Sequence, residues 1–473
     1  MSYSFNERSS TFISSPIESC KLLGQPGAGK SLCIFYFLKV KIESNLLSFP
    51  HDFIILTFSR TTVTDLLRKA ARFDLGEYFN SKNIRTFHSL AGTICHARGV
   101  PSSMRSCLHT ATELLQNEAV DGIFSLYRLK VIVVDEAQDL NPTQFLFVKT
   151  LSDALNIPLI MVGDTNQAIF SFQGSDPGIL HEYDYPTYSL IMNYRSSAPI
   201  IDFCNCITPF SEREKMIVSD EAKGHHPVEV HVVHKDALRS EILSKIQYFR
   251  NLGLAYEEIA ILGPVKLSGI KFSNIGLQAV ANIFEIAQIP YNLRYRRPSL
   301  IQEEYDSFDP VAGQINLMTI HGSKGLEFRA VILLNFHFNT MGRIPTEHEY
   351  QESKFLWYVG CSRAKQYLSI FVSDSKSIHP LFTQVQNLPT LRVYGKPIIT
   401  ELNFNKDNFT AFRENIPVTK LLELNFLNSK EYSTFRGLFR DFGPARIIYH
   451  DSKLVNSQLD SLSTVSRFIW TFI

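Results

Sequence analysis

The sequence predicts an α/β protein built on two parallel sheets. Short apolar runs alternate with amphipathic stretches through the first 375 residues, which is the pattern of buried strands covered by helices. The 473 residues are about three times the length of a typical single domain, so several domains are expected. Hydrophobic residues make up 45% and charged residues 20% of the chain, which excludes collagen-like, disordered and disulfide-scaffold proteins.

The apolar runs fall into two sets. The predicted strands of the first set are residues 53–56, 131–134 and 159–162. Those of the second set are residues 228–233, 259–262, 315–318, 331–334 and 368–372, with a helix predicted over residues 236–252. Two sheets are therefore expected to meet near residue 190. The alternation of apolar runs and amphipathic stretches is interrupted at residues 99–130 and 294–314, and it weakens after about residue 375.

Charge and cysteine content narrow the classes of partner and compartment. Lys plus Arg number 47 against 46 Asp plus Glu, so a net charge of +1 gives no field to draw the chain to nucleic acid or an anionic membrane. The seven cysteines form no CxxC pair, which favours reduced thiols over a zinc site or a disulfide framework. No secretion pattern and no apolar run of roughly 18 residues is present, so we expect a cytoplasmic protein without a membrane span.

A glycine-rich segment has the spacing of a phosphate-binding loop: a glycine, four residues, then Gly-Lys-Ser. It consists of Gly24, Gln25, Pro26, Gly27, Ala28, Gly29, Lys30 and Ser31. Glycines let backbone N–H groups wrap a phosphate chain, Lys30 would neutralise the outer phosphates, and Ser31 would offer its hydroxyl to Mg²⁺. A weak strand over residues 20–23 and a helix-compatible stretch over residues 32–40 flank it. Chance matches to this motif exist, but the context favours nucleoside triphosphate binding.

Two carboxylates follow the predicted strand at residues 131–134. A carboxylate at the tip of a buried strand can hold the Mg²⁺ shell, and its neighbour can orient and deprotonate the attacking water. An acidic helix N-cap would also favour Asp at this position. Because the phosphate loop lies upstream, we interpret Asp135 as the metal-side acid and Glu136 as the catalytic base.

Further segments, taken in chain order, resemble the motifs of superfamily 1 helicases of the UvrD/Rep/PcrA type. The matching segments are residues 57–59 (motif Ia), 86–91 (Ib), 135–139 (II), 163–174 (III), 193–196 (IV), 319–328 (V) and 358–365 (VI). The resemblance implies two RecA-like lobes of a P-loop NTPase. We expect the N-terminal lobe at residues 1–189, the C-terminal lobe at residues 190–375 and an unassigned tail at residues 376–473.

The resemblance also implies roles at the nucleotide. Gln167 would sense the γ-phosphate, where a solvated loop amide is the alternative. Arg195 and Arg363 resemble two arginine fingers, with surface salt bridging as the alternative for each. Tyr194 is similar to the aromatic residue that stacks on adenine, although a lone Tyr is more often part of a core. Glu327 resembles the residue that binds the ribose hydroxyls, with a helix cap as its alternative.

A second group of residues resembles the family's contacts to single-stranded DNA. Such binding without sequence readout needs aromatic side chains for the bases and short polar donors for the phosphates. The resemblance assigns base stacking to Phe58, Phe170 and Phe172, and phosphate or backbone contacts to Thr86, His88 and His321. An isolated Phe is more often a core residue, given 36 of them in the chain.

The chain departs from the family pattern in four respects. No convincing equivalent of the family's adenine-reading Leu-Asn and Gln is found around Phe5 and Asn6, which leaves the strictness of ATP preference open. Gln173 stands where an Arg is usual, and the usual phosphate-contacting Arg aligns with Leu67, one place before Arg68. Both helical insertions are reduced, to residues 99–130 and 294–314.

These observations predict an ATP- and Mg²⁺-dependent translocase or helicase on single-stranded or tailed duplex DNA, moving 3′ to 5′ by resemblance. The alternative is an ATP- or DNA-sensing subunit of a nuclease or anti-phage defence complex, with a nuclease or repair protein as partner. A signalling NTPase that never binds DNA is a third possibility, and it requires the motif Ib, III and V matches to be accidental.

Overall fold

The computed structural model describes most of the chain up to residue 399 and two short segments beyond it. The described residues are 5–104, 106–117, 128–170, 175–176, 178–182, 184–209, 214–220, 224–234, 236–264, 276–294, 310–338, 345, 347–399, 412–414 and 447–449.

The helices among these residues precede or follow the strands in the alternation that the sequence predicts. They are α1 (Glu7–Ser14), α2 (Lys30–Glu43), α3 (Arg60–Arg72), α4 (Phe87–Ala97), α5 (Cys107–Asn117), α6 (Pro142–Leu155), α7 (Gly178–Glu182), α8 (Ala198–Ile207), α9 (Leu238–Asn251), α10 (Leu277–Ala287), α11 (Glu347–Cys361) and α12 (Phe382–Val385). The predicted helix at residues 236–252 is confirmed as α9.

The strands of the first half are β1 (Cys20–Gly24), β2 (Phe53–Thr57), β3 (Ile84–Thr86), β4 (Val131–Val134), β5 (Leu159–Gly163), β6 (Thr187–Leu190), β7 (Met192–Asn193) and β8 (Ile217–Val218). Those of the second half are β9 (Val228–Val233), β10 (Ile259–Gly263), β11 (Tyr291–Arg294), β12 (Ile315–Thr319), β13 (Phe328–Leu334), β14 (Ala364–Ser373), β15 (Leu391–Tyr394), β16 (Phe412–Glu414) and β17 (Ile447–Tyr449).

The first sheet has six parallel strands in the order β3-β2-β4-β5-β1-β6. Strands β2, β4 and β5 are buried along their whole length, as expected when helices cover both faces of a parallel sheet. Strands β4, β5 and β1 are neighbours in this order. The segments that follow them therefore lie side by side at the carboxyl ends of the strands. This arrangement brings the phosphate loop next to the carboxylates.

The second sheet has seven parallel strands in the order β11-β12-β10-β13-β14-β9-β15. All five predicted strands of the second set are confirmed. The edge strand β15 lies beyond residue 375, where the alternation weakens, and its residues are exposed or half-buried, so it carries no apolar run that the sequence could reveal. The α/β prediction, with a RecA-like lobe built on each sheet, is confirmed.

The chain forms two compact units that do not coincide with the two lobes. Unit 1 comprises Met1–Thr86, Phe124–Pro142 and Leu155–Phe404, and it contains both sheets. Unit 2 comprises Phe87–Ile123, Thr143–Ala154 and Asn405–Ile473, and within it α4 packs against α5. The division into lobes at residues 189 and 190 stays a proposal. No helix in the described part of the chain has the length and apolar character needed to cross a membrane.

Candidate functional site

The phosphate loop connects β1 to α2, and its conformation depends on glycine. Gly27 and Gly29 have φ angles of +73° and +80°, in the left-handed region that glycine adopts without strain. A Cβ at Gly27 would lie 2.6 Å from the Cβ of Arg195, whereas one at Gly29 would meet nothing within 4 Å. The loop therefore needs glycine at position 27 for both conformation and space.

Lys30, the first residue of α2, has an uncharged hydrogen-bond partner. Its Nζ donates to the carbonyl oxygen of Gly24 over 2.7 Å. Burial lowers the pKa of Lys30, and the negative charges of Asp164, Glu136 and Asp135 oppose that shift. A buried ammonium held only by a carbonyl oxygen is well placed to exchange that partner for a phosphate oxygen.

The segment after β7 fastens the phosphate loop from the outside. Asn193 donates from Nδ2 to the Pro26 carbonyl over 2.7 Å, and the Tyr194 N–H donates to the Gly27 carbonyl over 3.0 Å. Asn193 Oδ1 also accepts from the backbone N–H of Arg195 over 2.8 Å. The buried Asn193 amide therefore contacts both the phosphate loop and the backbone of Arg195. Asn193 lies in motif IV, and the motif alone predicted no role for it.

Glu136 lies immediately after β4 in a conformation that is unusual for a residue with a side chain. Its φ and ψ angles are 54° and 39°, in the left-handed region that is costly without glycine and that clusters at functional sites. The buried amide of Gln138 holds the carboxylate: Nε2 donates to Glu136 Oε2 over 2.5 Å, while Oε1 accepts from the Asp164 N–H over 3.0 Å. Gln138 was not predicted as a site residue.

The two neighbouring carboxyls have opposite pKa shifts. Burial and the adjacent Glu136 charge raise the pKa of Asp135 to about 7. Burial alone would raise the pKa of Glu136 as well, but Lys324, Lys30 and the Gln138 hydrogen bond lower it to about 2. Glu136 is therefore ionised, as a general base must be, whereas the positive charges of Lys69 and Lys30 do not offset the effects of burial and Glu136 on Asp135.

That imbalance fits a divalent cation. Asp135 is 4% exposed, and its oxygens and the Ser31 hydroxyl are the hard donors that Mg²⁺ prefers. Among the described residues, no group of three or more His, Cys, Asp or Glu side chains could hold a metal ion by itself. A magnesium ion here would take its remaining ligands from water molecules and phosphate oxygens.

Arg363, between α11 and β14, brings a buried guanidinium from the second lobe to the first. It is 1% exposed, and Nη2 donates to Gln167 Oε1 over 2.9 Å. Gln167 in turn donates from Nε2 to Asp164 Oδ2 over 2.8 Å. Burial, with a smaller effect of Arg195, lowers the pKa of Arg363 to about 10, so the side chain stays charged at neutral pH. The predicted finger and the predicted phosphate sensor are thus in direct contact.

Arg195 and Glu327 form an ion pair. The Arg195 Nε lies 2.5 Å from Glu327 Oε2, and Lys365 Nζ lies 2.6 Å from Glu327 Oε1. Burial opposes ionisation, but these two cations lower the pKa of Glu327 to about 2. In this conformation Glu327 orients a predicted arginine finger, and its role at the ribose stays a prediction.

Lys324 links the two lobes, and the sequence predicted no role for it. Its Nζ lies 2.7 and 2.6 Å from the two carboxylate oxygens of Asp139 and donates to the Gln167 carbonyl over 2.7 Å. The Lys324 and Asp139 side chains are only 8% and 9% exposed. Lys324 also lies 5.0 Å from the centre of the Phe170 ring. We refer to Lys324 and Asp139 as the interlobe pair.

The predicted DNA contacts are only partly brought together. Phe170 and His321 lie close, with ring centroids 6.1 Å apart. Phe58 follows β2 and Thr86 ends β3, two adjacent strands. His88 belongs to α4 in unit 2. Phe172 lies outside the described residues.

Two family models match the chain in series. The UvrD/REP helicase N-terminal domain matches residues 108–186, and the UvrD-like helicase C-terminal domain matches residues 276–375. The first match includes Asp135, Glu136 and Gln167. The second includes Lys324, Glu327 and Arg363. The two models therefore cover the acids of the first lobe and the cations of the second in the order that the motifs predict.

Several curated proteins are similar to this chain. A protein of Acanthamoeba polyphaga mimivirus, named as an ATP-dependent DNA helicase, is 29% identical over 85% of this chain and 58% of its own length. A probable DNA helicase of Mycoplasma pneumoniae is 26% identical over 53% of this chain and 45% of its own length. The helicase UvrD2 of Mycobacterium tuberculosis is 25% identical over 57% and 51%. This chain thus spans about half the length of the curated relatives that it matches.

Proposed function

The chain belongs to the UvrD/Rep-like family of superfamily 1 helicases, and on that premise we propose that it hydrolyses ATP between its two lobes and so moves along single-stranded DNA. The observation that carries the proposal is the contact between Arg363 and Gln167, because it brings a cation of the second lobe to the acidic strand ends of the first. An ATPase regulated by lobe closure requires such an arrangement.

The phosphate loop and Lys30 would hold the phosphate chain of ATP. Lys30 would leave the Gly24 carbonyl for a phosphate oxygen, and the backbone N–H groups of the loop would bind the others. Ser31 and Asp135 would hold Mg²⁺. When bound, Mg²⁺ neutralises charge on the phosphate oxygens.

Glu136 would act as the base in hydrolysis. The oxygen of a water molecule attacks the γ-phosphorus, its proton passes to the Glu136 carboxylate, and the bond to the β–γ bridging oxygen breaks, with its electron pair leaving on ADP. Gln138 keeps Glu136 in position, and Arg363 and Arg195 stabilise the negative charge on the transferring group. The proton then passes from Glu136 to solvent.

Gln167 and the interlobe pair would couple this chemistry to DNA. Gln167 contacts Arg363 through its side chain and Lys324 through its carbonyl. Phe170, three residues later, lies beside both Lys324 and His321. A change at the γ-phosphate would thus reach an aromatic side chain through two contacts. We propose 3′-to-5′ movement on the resemblance alone, and displacement of 3′-tailed against 5′-tailed duplexes measures it.

Steady-state ATP hydrolysis with and without single-stranded DNA tests the proposal. We expect DNA to stimulate the wild-type chain and Glu136→Gln to lower kcat by about 10²- to 10⁴-fold, because the general base is lost. Glu241→Gln, at an exposed position of α9, is the matched control and should retain wild-type kcat. DNA-independent turnover that Glu136→Gln leaves unchanged would overturn the scheme. The alternative of a sensing subunit has no support among the described residues.

A further inference from the structure

We propose that this site selects its substrate by the triphosphate and by stacking, with little reading of the base, so that GTP, CTP and UTP are hydrolysed as well as ATP. The inference rests on the proposed function and concerns the same site. It depends on how the polar side chains around Tyr194 are engaged.

Tyr194 provides an aromatic face that is fixed relative to the phosphate loop. Its N–H donates to the Gly27 carbonyl over 3.0 Å, and its hydroxyl accepts from Asn6 Nδ2 over 2.8 Å. The residue is nevertheless 38% exposed. A ring held at both ends beside the triphosphate site is suited to stacking on a base, and stacking tolerates every base because each has a π-face.

The Asn6 amide contacts Tyr194, and both ends of that amide have structural partners. Oδ1 accepts from the Ser9 N–H over 2.9 Å and so caps α1, while Nδ2 bonds to the Tyr194 hydroxyl. An amide that reads adenine has to turn one donor and one acceptor together toward the base edge. Turning Asn6 in that way would break the helix cap, the Tyr194 bond or both.

Arg8 and Gln25, two further polar side chains among the described residues, also have protein partners. Arg8 forms a two-point ion pair with Glu214, with Nη2 at 2.9 Å from Oε1 and Nη1 on Oε2. Gln25, which is 7% exposed, donates from Nε2 to the Glu214 carbonyl and accepts from the Tyr358 hydroxyl over 3.4 Å. Each of these groups would have to give up a protein partner before it could read a base.

The magnitude of base selectivity separates the two kinds of site. A pocket built to hydrogen-bond a substrate group rejects an analogue lacking it by about 10⁴-fold or more. Stacking alone distinguishes bases mainly by ring size, so purines should exceed pyrimidines by no more than about tenfold.

The experiment measures kcat/KM of the full chain for ATP, GTP, CTP and UTP, by phosphate release with Mg²⁺ and an oligo-dT strand. Values within about tenfold of one another support the inference. A preference for ATP over both pyrimidine nucleotides of about a hundredfold or more would overturn it and leave the proposed function standing. Hydrolysis of none of the four would overturn the proposed function and the inference with it.

A pair of Tyr194 variants tests the stacking face directly. Tyr194→Ala should raise KM for all four nucleotides by a similar factor, about tenfold, because the face is removed. Tyr194→Phe keeps the ring, loses the bond to Asn6, and should stay within about threefold of the wild type for each nucleotide. Loss of ATP turnover alone in Tyr194→Ala, with the other three nucleotides unaffected, would contradict the inference.

Discussion

The two sheets contribute opposite charges to one site. The segments that follow β4 and β5 of the first sheet supply Asp135, Glu136 and Asp164, and the segments that precede β13 and β14 of the second supply Lys324 and Arg363. Each set is costly to bury alone, as the raised pKa of Asp135 and the lowered pKa of Arg363 indicate. Glu136 therefore depends in part on Lys324 of the second lobe, whereas the cations that act on Asp135 are Lys69 and Lys30 of the first.

The largest effect on kcat is expected when Arg363, a buried cation of the second lobe, is removed. We expect Arg363→Ala to lower kcat for ATP by about 10³- to 10⁵-fold, because an arginine finger stabilises charge that develops only in the transition state. Arg363→Lys should recover little, since an ammonium cannot reproduce the planar fork that reaches Gln167 and the Leu326 carbonyl together.

The control for this experiment is Arg329→Ala. Arg329 is a half-exposed arginine of the same lobe that pairs with Glu258 at 3.3 Å, and its loss should leave kcat unchanged. Circular dichroism melting would show whether Arg363→Ala folds. A folded Arg363→Ala protein with kcat within tenfold of the wild type would show that Arg363 is not the catalytic cation.

A smaller effect is expected from the interlobe pair. Lys324→Met and Asp139→Asn should each lower kcat/KM for ATP, because each leaves a buried partner uncompensated. The loss of activation free energy in the double variant should be smaller than the sum of the two single losses by about 0.5–3 kcal/mol, as is usual for residues in direct contact. The cycle is measured by steady-state ATP hydrolysis without DNA. Strictly additive losses would mean that the pair does not couple the lobes.

The sequence was sufficient for the elements with strong local signals. Seven strands were predicted from mainly apolar runs that are buried, and β9 was predicted from a run that mixes buried and half-buried residues. The phosphate loop was predicted from its glycine spacing. Strand β15 was missed because it lies exposed at a sheet edge and has no such run.

The pairings within the site could not be read from the sequence. Lys324 and Asp139 are 185 residues apart, and nothing local to either residue indicates the other. Gln138 and Asn193 were noted only as members of motifs, because an amide's role depends on which backbone groups the fold brings to it. The sequence therefore predicted the types of catalytic group better than the groups that orient them.

The smallest expected effect is on the pH dependence of stability, to which two buried histidines of the second lobe contribute. His337 and His379 are each 1% exposed, and burial, with smaller effects of Lys376 and Lys354, lowers both pKa values to about 3. In the unfolded chain they titrate near 6.5, so unfolding below that pH takes up protons that the folded state excludes. The stability that they provide is complete above pH 6.5 and is lost as the pH falls toward 3. Acidification from pH 7.5 to 5.5 should cost about 1 kcal/mol of unfolding free energy for each histidine.

Urea unfolding of the wild type and of His379→Gln at both pH values measures this effect. His379→Gln should reduce the loss between pH 7.5 and 5.5 by about 1 kcal/mol, because glutamine does not titrate. His379 Nε2 lies 2.9 Å from the Ser353 hydroxyl, so the variant will also be less stable at pH 7.5, and only the pH dependence is diagnostic. His234→Gln, at an exposed position, should leave the pH dependence unchanged. An equal loss in His379→Gln and the wild type would place the acid sensitivity elsewhere, with the carboxylates of the first lobe as the next candidates.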